Sequence, residues 1–509
     1  MKLRPVVLSL LVAAGMNLSL VQAGSSPDKG VAAPPRLQAA ARTFAIAPAV
    51  GSPSTSSAGE LGAHAVYGDI KSTIVLFRDG EKRVVFFTSA FRLESMPLQT
   101  ASRNLIAEVL GIEPQDVVIN SAHNHSIPRV DVGETAQAQD PRFEPSRALG
   151  REFMAKLRQA AEALPGALEP VWVKWGVAQE DRLTYNRRGR RADGTSYFIR
   201  EEDRLQLPPD YKGTIDPDAT LVLLEGQTGP VACLAWYTGH PVTVYDPENP
   251  VAFGEWPQVA CEIVSEHLGG VPVAFFQGCA GDINSKYMFS GTIEQSREFG
   301  RFLGDAYLKA LRALQTSRRD GIELAHETVD VPLAGLPDRA SVEQSLAEID
   351  AFWKRAKAGD PDTLTCVGLN FPKALEPPYR AWLVEPPRRW YAWALQQHVD
   401  GKADQVATAV PLEIVVARIG DVGFVGMPAE SFVRTGLKIK REAALPCVIP
   451  CGYTGQMHGY IPDASACDDR EYMAGNYRYR APPYHAPYRA PGGDAMAISA
   501  VRILNRMAQ

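Results

Sequence analysis

Four short stretches hold the residue types best suited to chemistry. The first is Ser121-Ala-His-Asn-His-Ser126. Two histidines at i and i+2 on an extended chain point the same way, so His123 and His125 can face one site. Neutral imidazole is a good zinc ligand, and the pair is the natural seed of a metal site. A lone His-x-His is more often a pair of buried, hydrogen-bonded histidines. Here the Ser/Asn flanks and the apolar strand before it favour a site. The second stretch is His240-Pro241, which ends another apolar strand and supplies a third candidate ligand. The third, Gln277-Gly-Cys-Ala-Gly-Asp-Ile-Asn284, has small residues that allow close backbone approach to a substrate, and Asp282 or Asn284 could hydrogen-bond it. It lacks the Gly-Lys-Ser/Thr ending of a phosphate loop. The fourth, Gly426-Met-Pro-Ala-Glu430, places a carboxylate after a Val/Phe strand. By itself that glutamate reads more simply as a charge at a helix N-terminus.

The elements that must position these groups follow from apolar periodicity and from the turn and cap residues. Strands are predicted at 73–77 and 83–87, joined by the turn at Asp79-Gly80. A helix over 98–110 follows, opened by Pro97 and closed by Gly111. The strand at 116–120 runs directly into the His-x-His, and a helix covers 147–164. Strands at 220–224 and 231–236, a helix at 259–268 and a strand at 272–276 repeat the alternation, and a last helix spans 494–507. This is a mixed α/β pattern: β-sheet layers flanked by helices, with the active site at strand ends, where a rigid sheet holds side chains while loops vary. An amphipathic helix over 341–358, with Ser341 and Gln344 as a capping box, begins a helical insertion near 338–405. Its Trp382, Trp390, Tyr391 and Trp393 could roof a cleft. No internal repeat is evident.

The 509 residues are 45% hydrophobic and 22% charged, an ordinary globular composition. A net charge of -5 gives no basic surface of the kind a nucleic-acid partner needs. Residues 1–23 carry Lys2 and Arg4, an apolar run and Val21-Gln-Ala23, the pattern of a secretory signal peptide cut before Gly24. The mature protein is therefore expected to be secreted or periplasmic, without a transmembrane anchor. Residues 24–60, rich in Ala, Ser, Pro and Gly, read as a flexible linker, and 61–509 as one catalytic domain. Of the seven cysteines, Cys447, Cys451 and Cys467 cluster in a loop-rich stretch where a disulfide between two of them is plausible.

Taken in order, the motifs resemble the catalytic domain of the neutral/alkaline (non-lysosomal) ceramidase family. They are His123-Asn-His125-Ser126, His240-Pro241, Gly281-Asp282, Pro428-Ala-Glu430, Gly459-Tyr460 and Tyr472, spread over about residues 60 to 475. The resemblance implies zinc held by His123, His240, Glu430 and Tyr460. It implies His125 as general acid/base, Tyr472 as a second active-site tyrosine, and Arg187 of Asn186-Arg187 near the substrate carbonyl. Asn284 stands where the family has a serine, and would orient substrate. The residues alone suggest both histidines of the His-x-His as ligands; the resemblance separates them into ligand and acid/base. The expected function is a secreted zinc-dependent hydrolase of an amide bond, by metal-activated water. The substrate would be a small-molecule or lipid-like amide, with an N-acyl lipid as one candidate. The alternatives are an esterase or lactonase on the same zinc site, or a non-catalytic secreted binding protein.

Overall fold

Near-continuous apolar runs create sheets with two buried faces, and this chain does so three times. The computed structural model describes residues 35–55, 62–94, 96–133 and 140–509, so the expected signal peptide lies outside the described residues. In the first main sheet the strand order is Val117–Ser121, Lys82–Ser89, Ile70–Asp79, Gln38–Ile46, with a short edge at Glu169–Pro170. In the second it is Val273–Gln277, Pro230–Tyr237, Asp218–Glu225, Trp172–Gln179, edged by Gln315–Thr316. In the third it is Cys447–Cys451, Val422–Gly426, Ala409–Ile419, Ile322–Pro332.

Each sheet is built by the same path. Three successive strands pair antiparallel, a helix crosses over, and a fourth strand returns parallel to the third. The crossover helices are Met96–Leu110, Glu255–His267 and Val433–Glu442, and a second helix follows each unit: Glu144–Glu162, Ile293–Leu311 and Asp494–Met507. The repeat absent from the residue letters is thus present in the topology. A strand needs alternating apolar residues but not particular ones, so the architecture recurs without a recurring sequence.

One face of every sheet turns to a shared core. Val75, Phe86 and Val118 from the first sheet, Val222, Leu234 and Phe276 from the second, and Val415, Phe424 and Ile449 from the third pack in it together. The opposite faces carry the helices: Ile74 and Phe87 meet Ile106 and Phe153, Leu221 and Phe275 meet Val264 and Leu303, and Val416 and Val425 meet Ile439 and Ile503. Period-2 patterning with both faces buried accounts for the near-continuous apolar runs in these strands.

Three expectations change and one gains detail. Within the predicted linker, Gln38–Ile46 is a strand paired along nine residues with Ile70–Asp79. Its Ala39, Ala40 and Ala41 are buried in the core clusters, and that composition imitates a linker. All seven cysteines are free and buried. Cys447 and Cys451 lie four residues apart on one strand, about 13 Å at the extended rise, beyond disulfide reach, and Cys467 packs in a different core cluster. The insertion helix, Arg339–Lys357, starts earlier than predicted and is capped by Asp338, whose carboxylate accepts from Ser341 N at 2.9 Å, in place of a Ser341 box. Finally, the insertion has a partner helix, Pro377–Val399, and the pair joins the first and second strands of the third sheet.

Candidate metal centre

The third and fourth strands of each unit end side by side, and the three pairs of ends converge. Asn120 and Gln277 bind them together. Asn120 Nδ2 donates to Gly452 O at 2.8 Å, and its Oδ1 accepts from Gln277 N at 2.9 Å. Gln277 Nε2 donates to Ala122 O and Gly239 O at 3.0 and 2.7 Å. These amides are fully buried and meet the hydrogen-bonding needs of backbone that has left its sheet. His123, His125, His240, Glu430, Tyr460 and Tyr472 sit on segments that leave this junction, and Arg187 comes in from between the first and second strands of the second sheet.

His123 follows the first junction with φ of 58°, a left-handed conformation that costs a non-glycine residue about 1 kcal/mol or more. Strand alternation therefore does not aim the two histidines. The turn does, setting the His123 and His125 rings at 4.9 Å and nearly perpendicular. His123 Nδ1 lies 2.7 Å from Glu94 Oε1, and Nε2 lies 3.3 Å from Glu430 Oε2. His240 Nδ1 donates to Ile283 O at 3.0 Å, and its Nε2 lies 2.9 Å from the same Glu430 oxygen. Both rings are thus anchored at Nδ1, and both Nε2 atoms meet one carboxylate.

The electrostatics of that meeting point favour a cation. Burial and the nearby Arg187 push His240 down to about 4, so at neutral pH its Nε2 offers a lone pair to an oxygen that also offers lone pairs. Burial alone would raise the Glu430 carboxyl and lower His123, but their mutual attraction outweighs it, holding Glu430 well below the usual range and His123 above its ordinary value. Two lone-pair donors at 2.9 Å repel unless a positive charge joins them. Imidazole Nε2 atoms oriented by a carboxylate and a backbone carbonyl are the usual arrangement for metal-bound histidine. The ligand atoms of His123, His125 and His240 also lie within 4.8 Å of one another. The donor set fits a divalent cation of the zinc type, whose preferred ligands are imidazole and carboxylate.

Beside the centre lies an apolar cavity of ≈ 120 Å³, lined on the centre's side by His125, Arg187, Tyr460 and Tyr472. Burial, with His123 and Arg92 close by, pushes His125 well below its ordinary value, so it is neutral at neutral pH. Arg187 is buried. Its Nη1 donates to Asn284 Oδ1 at 3.0 Å, and its Nη2 to Gly281 O and the Tyr460 hydroxyl at 2.7 and 2.8 Å. Its Nε has no partner among the described residues. Tyr460 sits directly across from Glu430 in a short parallel pair. Burial raises its phenol well above 10 against the pull of Arg187. The Tyr460 and Tyr472 rings meet edge to face at 5.5 Å.

The fold therefore brings together His123, His125, His240, Glu430, Arg187, Tyr460 and Tyr472. Asn284, expected to touch substrate, is fully buried behind Arg187 and holds it; its amide is used by protein partners, not by the cavity. Asp282 is likewise structural, accepting from Val433 N at 2.7 Å and from Asn186 Nδ2 at 2.8 Å. The small residues of that loop serve backbone, not substrate: a Cβ on Gly281 would lie 2.2 Å from Glu430 O. Two residues of the centre escaped sequence reasoning. Glu94 follows the Lys82–Ser89 strand as Glu430 follows Val422–Gly426, and that parallel placement was its available signal. Tyr453, with φ of 53°, stacks 4.4 Å from the His123 ring and sets its hydroxyl 3.5 Å from both His240 Nε2 and Glu430 Oε2. Nothing local distinguishes it from other tyrosines.

Fold and site define an α/β protein of three helix-backed sheets, with a buried histidine–carboxylate centre at their joined strand ends. Among solved structures the same fold occurs in a neutral ceramidase from Pseudomonas aeruginosa, at a TM-score of 0.58 and 16% identity, over 93% of this chain and 74% of that one. A ceramidase complexed with C2 matches at a TM-score of 0.59 and 17% identity, over 93% and 75%. No family model and no curated protein matches the chain. The mixed α/β fold expected from the pattern of strands and helices is the fold observed.

Proposed function

We propose that the protein is an exported, zinc-dependent hydrolase of an amide bond, related to the neutral ceramidases. The observation that carries this reading is the meeting of His123 Nε2, His240 Nε2 and Glu430 Oε2 beside an apolar cavity lined by His125, Arg187, Tyr460 and Tyr472. His123, His240 and Glu430 would hold the metal, with the Tyr460 phenol as the fourth donor. A bound zinc ion supplies Lewis acidity and makes a water molecule acidic enough to give hydroxide near neutral pH.

The chain's own residues divide the remaining work. His125, neutral and beside the centre, takes the proton of the attacking water on a ring nitrogen and delivers it to the leaving nitrogen. Arg187, fixed by Asn284, Gly281 and Tyr460 and lining the cavity, is a preorganised positive charge for the substrate carbonyl oxygen. Tyr472, whose phenol burial pushes up to about 12, stays protonated and donates to the same oxygen as charge develops there. The apolar lining excludes water and strengthens these interactions. Among the described residues no helix is long and apolar enough to cross a membrane; export rests on the expected signal over 1–23.

Metal analysis of the purified protein tests the centre, with about one zinc per chain expected. His125→Ala should keep the metal and lose about 10²- to 10⁴-fold in turnover. A metal-free protein after purification with zinc present would overturn the reading. So would a His125→Ala variant of undiminished activity, for the acid/base role. Matched amide and ester substrates decide the bond class: hydrolysis of esters alone would replace an amidase with an esterase.

A further inference from the structure

Arg187 and Tyr472 line the same cavity, and the chain supports them in different ways. Arg187 lies between two short strands, Thr184–Asn186 and Arg188–Arg190. Its N–H donates to Asp282 O at 2.9 Å and its carbonyl accepts from Ile199 N at 2.7 Å, so its backbone is held on both sides. Tyr472 stands instead in a run of turns between Tyr460–Ile461 and the short helix Asn476–Tyr479, outside every sheet. Its place is set by what grips that turn.

The grip comes from the residue after Arg187 and the residue before Tyr472, which are 283 positions apart in the chain. Arg188 Nε donates to Glu471 Oε1 at 2.8 Å, and its Nη2 donates to Asp469 Oδ2. The Arg188 side chain is 9% exposed and that of Glu471 is fully buried. The other Glu471 oxygen, Oε2, accepts from Met473 N at 2.6 Å and from Ala474 N at 3.1 Å, and Glu471 O accepts from Gly475 N at 2.8 Å. One residue thus closes the turn that contains Tyr472 and ties it to Arg188. Further along the same turn, Asn476 Oδ1 accepts from Tyr460 N at 3.1 Å. Stability alone does not call for a buried ion pair, since apolar residues of similar size hold a fold as well. What a guanidinium and a carboxylate add is direction, because charge-assisted hydrogen bonds fix angle as well as distance.

We infer that Arg188 and Glu471 are positioning residues that set Tyr472 against Arg187, so that both can serve one substrate oxygen. The inference rests on the hydrolase reading for that oxygen, while the placement of Tyr472 by the pair stands on the hydrogen bonds alone. Neither side chain lines the cavity, and among the described residues neither bonds to His123, His240 or Glu430. Loosening the pair therefore costs turnover and leaves the metal bound. A misplacement of about 1 Å at a transition-state donor lowers turnover by about 10²-fold. Ground-state contacts with the apolar lining stay as they are, so kcat falls while KM holds nearly constant.

The test uses the full chain loaded with zinc. Glu471→Gln keeps the shape of the carboxylate and loses its charge, and Arg188→Lys keeps a cation and loses the directed Nε–H. Each is made in the parent protein and in a Tyr472→Phe background, with zinc content and a thermal melt as controls for metal and fold. In the parent each should lower kcat about 10- to 100-fold with KM little changed. In the Tyr472→Phe background the same changes should cost less than about twofold, because residues that act as one unit are not additive. Equal costs in the two backgrounds mean a general loosening of the fold and overturn the inference. Fluorine NMR of fluorotyrosine-labelled protein reads the placement without turnover, with the Tyr472 resonance assigned from its loss in Tyr472→Phe. That resonance should shift or broaden in both variants, and an unmoved resonance in a folded variant overturns the placement. If neither variant folds, Asp469→Asn weakens the grip on Arg188 from the rim and gives the same two readouts. If the parent hydrolyses neither amide nor ester, the hydrolase reading fails, and the resonance alone still decides whether the pair places Tyr472.

Discussion

Glu94 offers the sharpest test of the centre, because it touches His123 from behind and is out of reach of the cavity. Its Oε1 lies 2.7 Å from His123 Nδ1 and 2.7 Å from Arg92 Nε, and its side chain is almost fully buried. Burial alone would raise this carboxyl, yet Arg92 and His123 hold it far below the usual range, so it is an anion in the folded protein. An anion at Nδ1 fixes the ring, keeps the proton on Nδ1 and makes Nε2 a stronger donor. Glu94→Gln keeps the shape and an acceptor but loses the charge. Glu94→Ala also leaves Arg92 facing the histidine with no carboxylate between them. Loss of such a partner weakens metal binding about 10- to 100-fold, equivalent to about 1.4–2.7 kcal/mol. The Gln variant belongs at the lower end and the Ala variant at the upper. Zinc affinity measured by competition with a chelator, beside a thermal melt to confirm folding, reads the effect. If both folded variants bind zinc within twofold of the parent protein, Glu94 does not orient a ligand and the assignment of His123 fails with it.

Arg187→Lys should retain zinc and lose about 10²- to 10³-fold in kcat/KM, since a lysine cannot hold Asn284, Gly281 and Tyr460 while donating to substrate. Glu255 is buried, accepts from Val244 N at 2.9 Å and Ser296 Oγ at 2.6 Å, and is pushed by burial to about 6 from 4.5. A raised carboxyl favours folding fully below about pH 4.5, and that contribution, about 2 kcal/mol, is lost as pH rises through about 6; Glu255→Gln should flatten the matching fall in melting temperature. Phe86 touches Phe77, Phe276 and Phe424 at ring distances of 5.6, 5.8 and 4.9 Å, joining all three sheets, so Phe86→Ala should lower unfolding free energy by about 3–5 kcal/mol in a denaturant titration.

Local pattern was enough for the strands at 73–77, 116–120, 231–236 and 272–276 and for the helix at 98–110, all of which recur in the structure, either a few residues longer or shifted by one. Alternation and cap chemistry act between near neighbours, so one chain carries them without help. The same logic placed His123, His240 and Glu430 at strand ends. Gln38–Ile46 was hidden because alanine serves both linkers and tightly packed strands. The jobs of the site residues were settled by packing. Asn284 faces Arg187 and not the cavity, Gly281 makes room for the Glu430 backbone, and Glu94 and Tyr453 reach His123 from segments more than 300 residues apart. No local preference encodes such meetings. They follow from three sheets sharing one core, which brings three pairs of strand ends to a single point and leaves their side chains no other place to go.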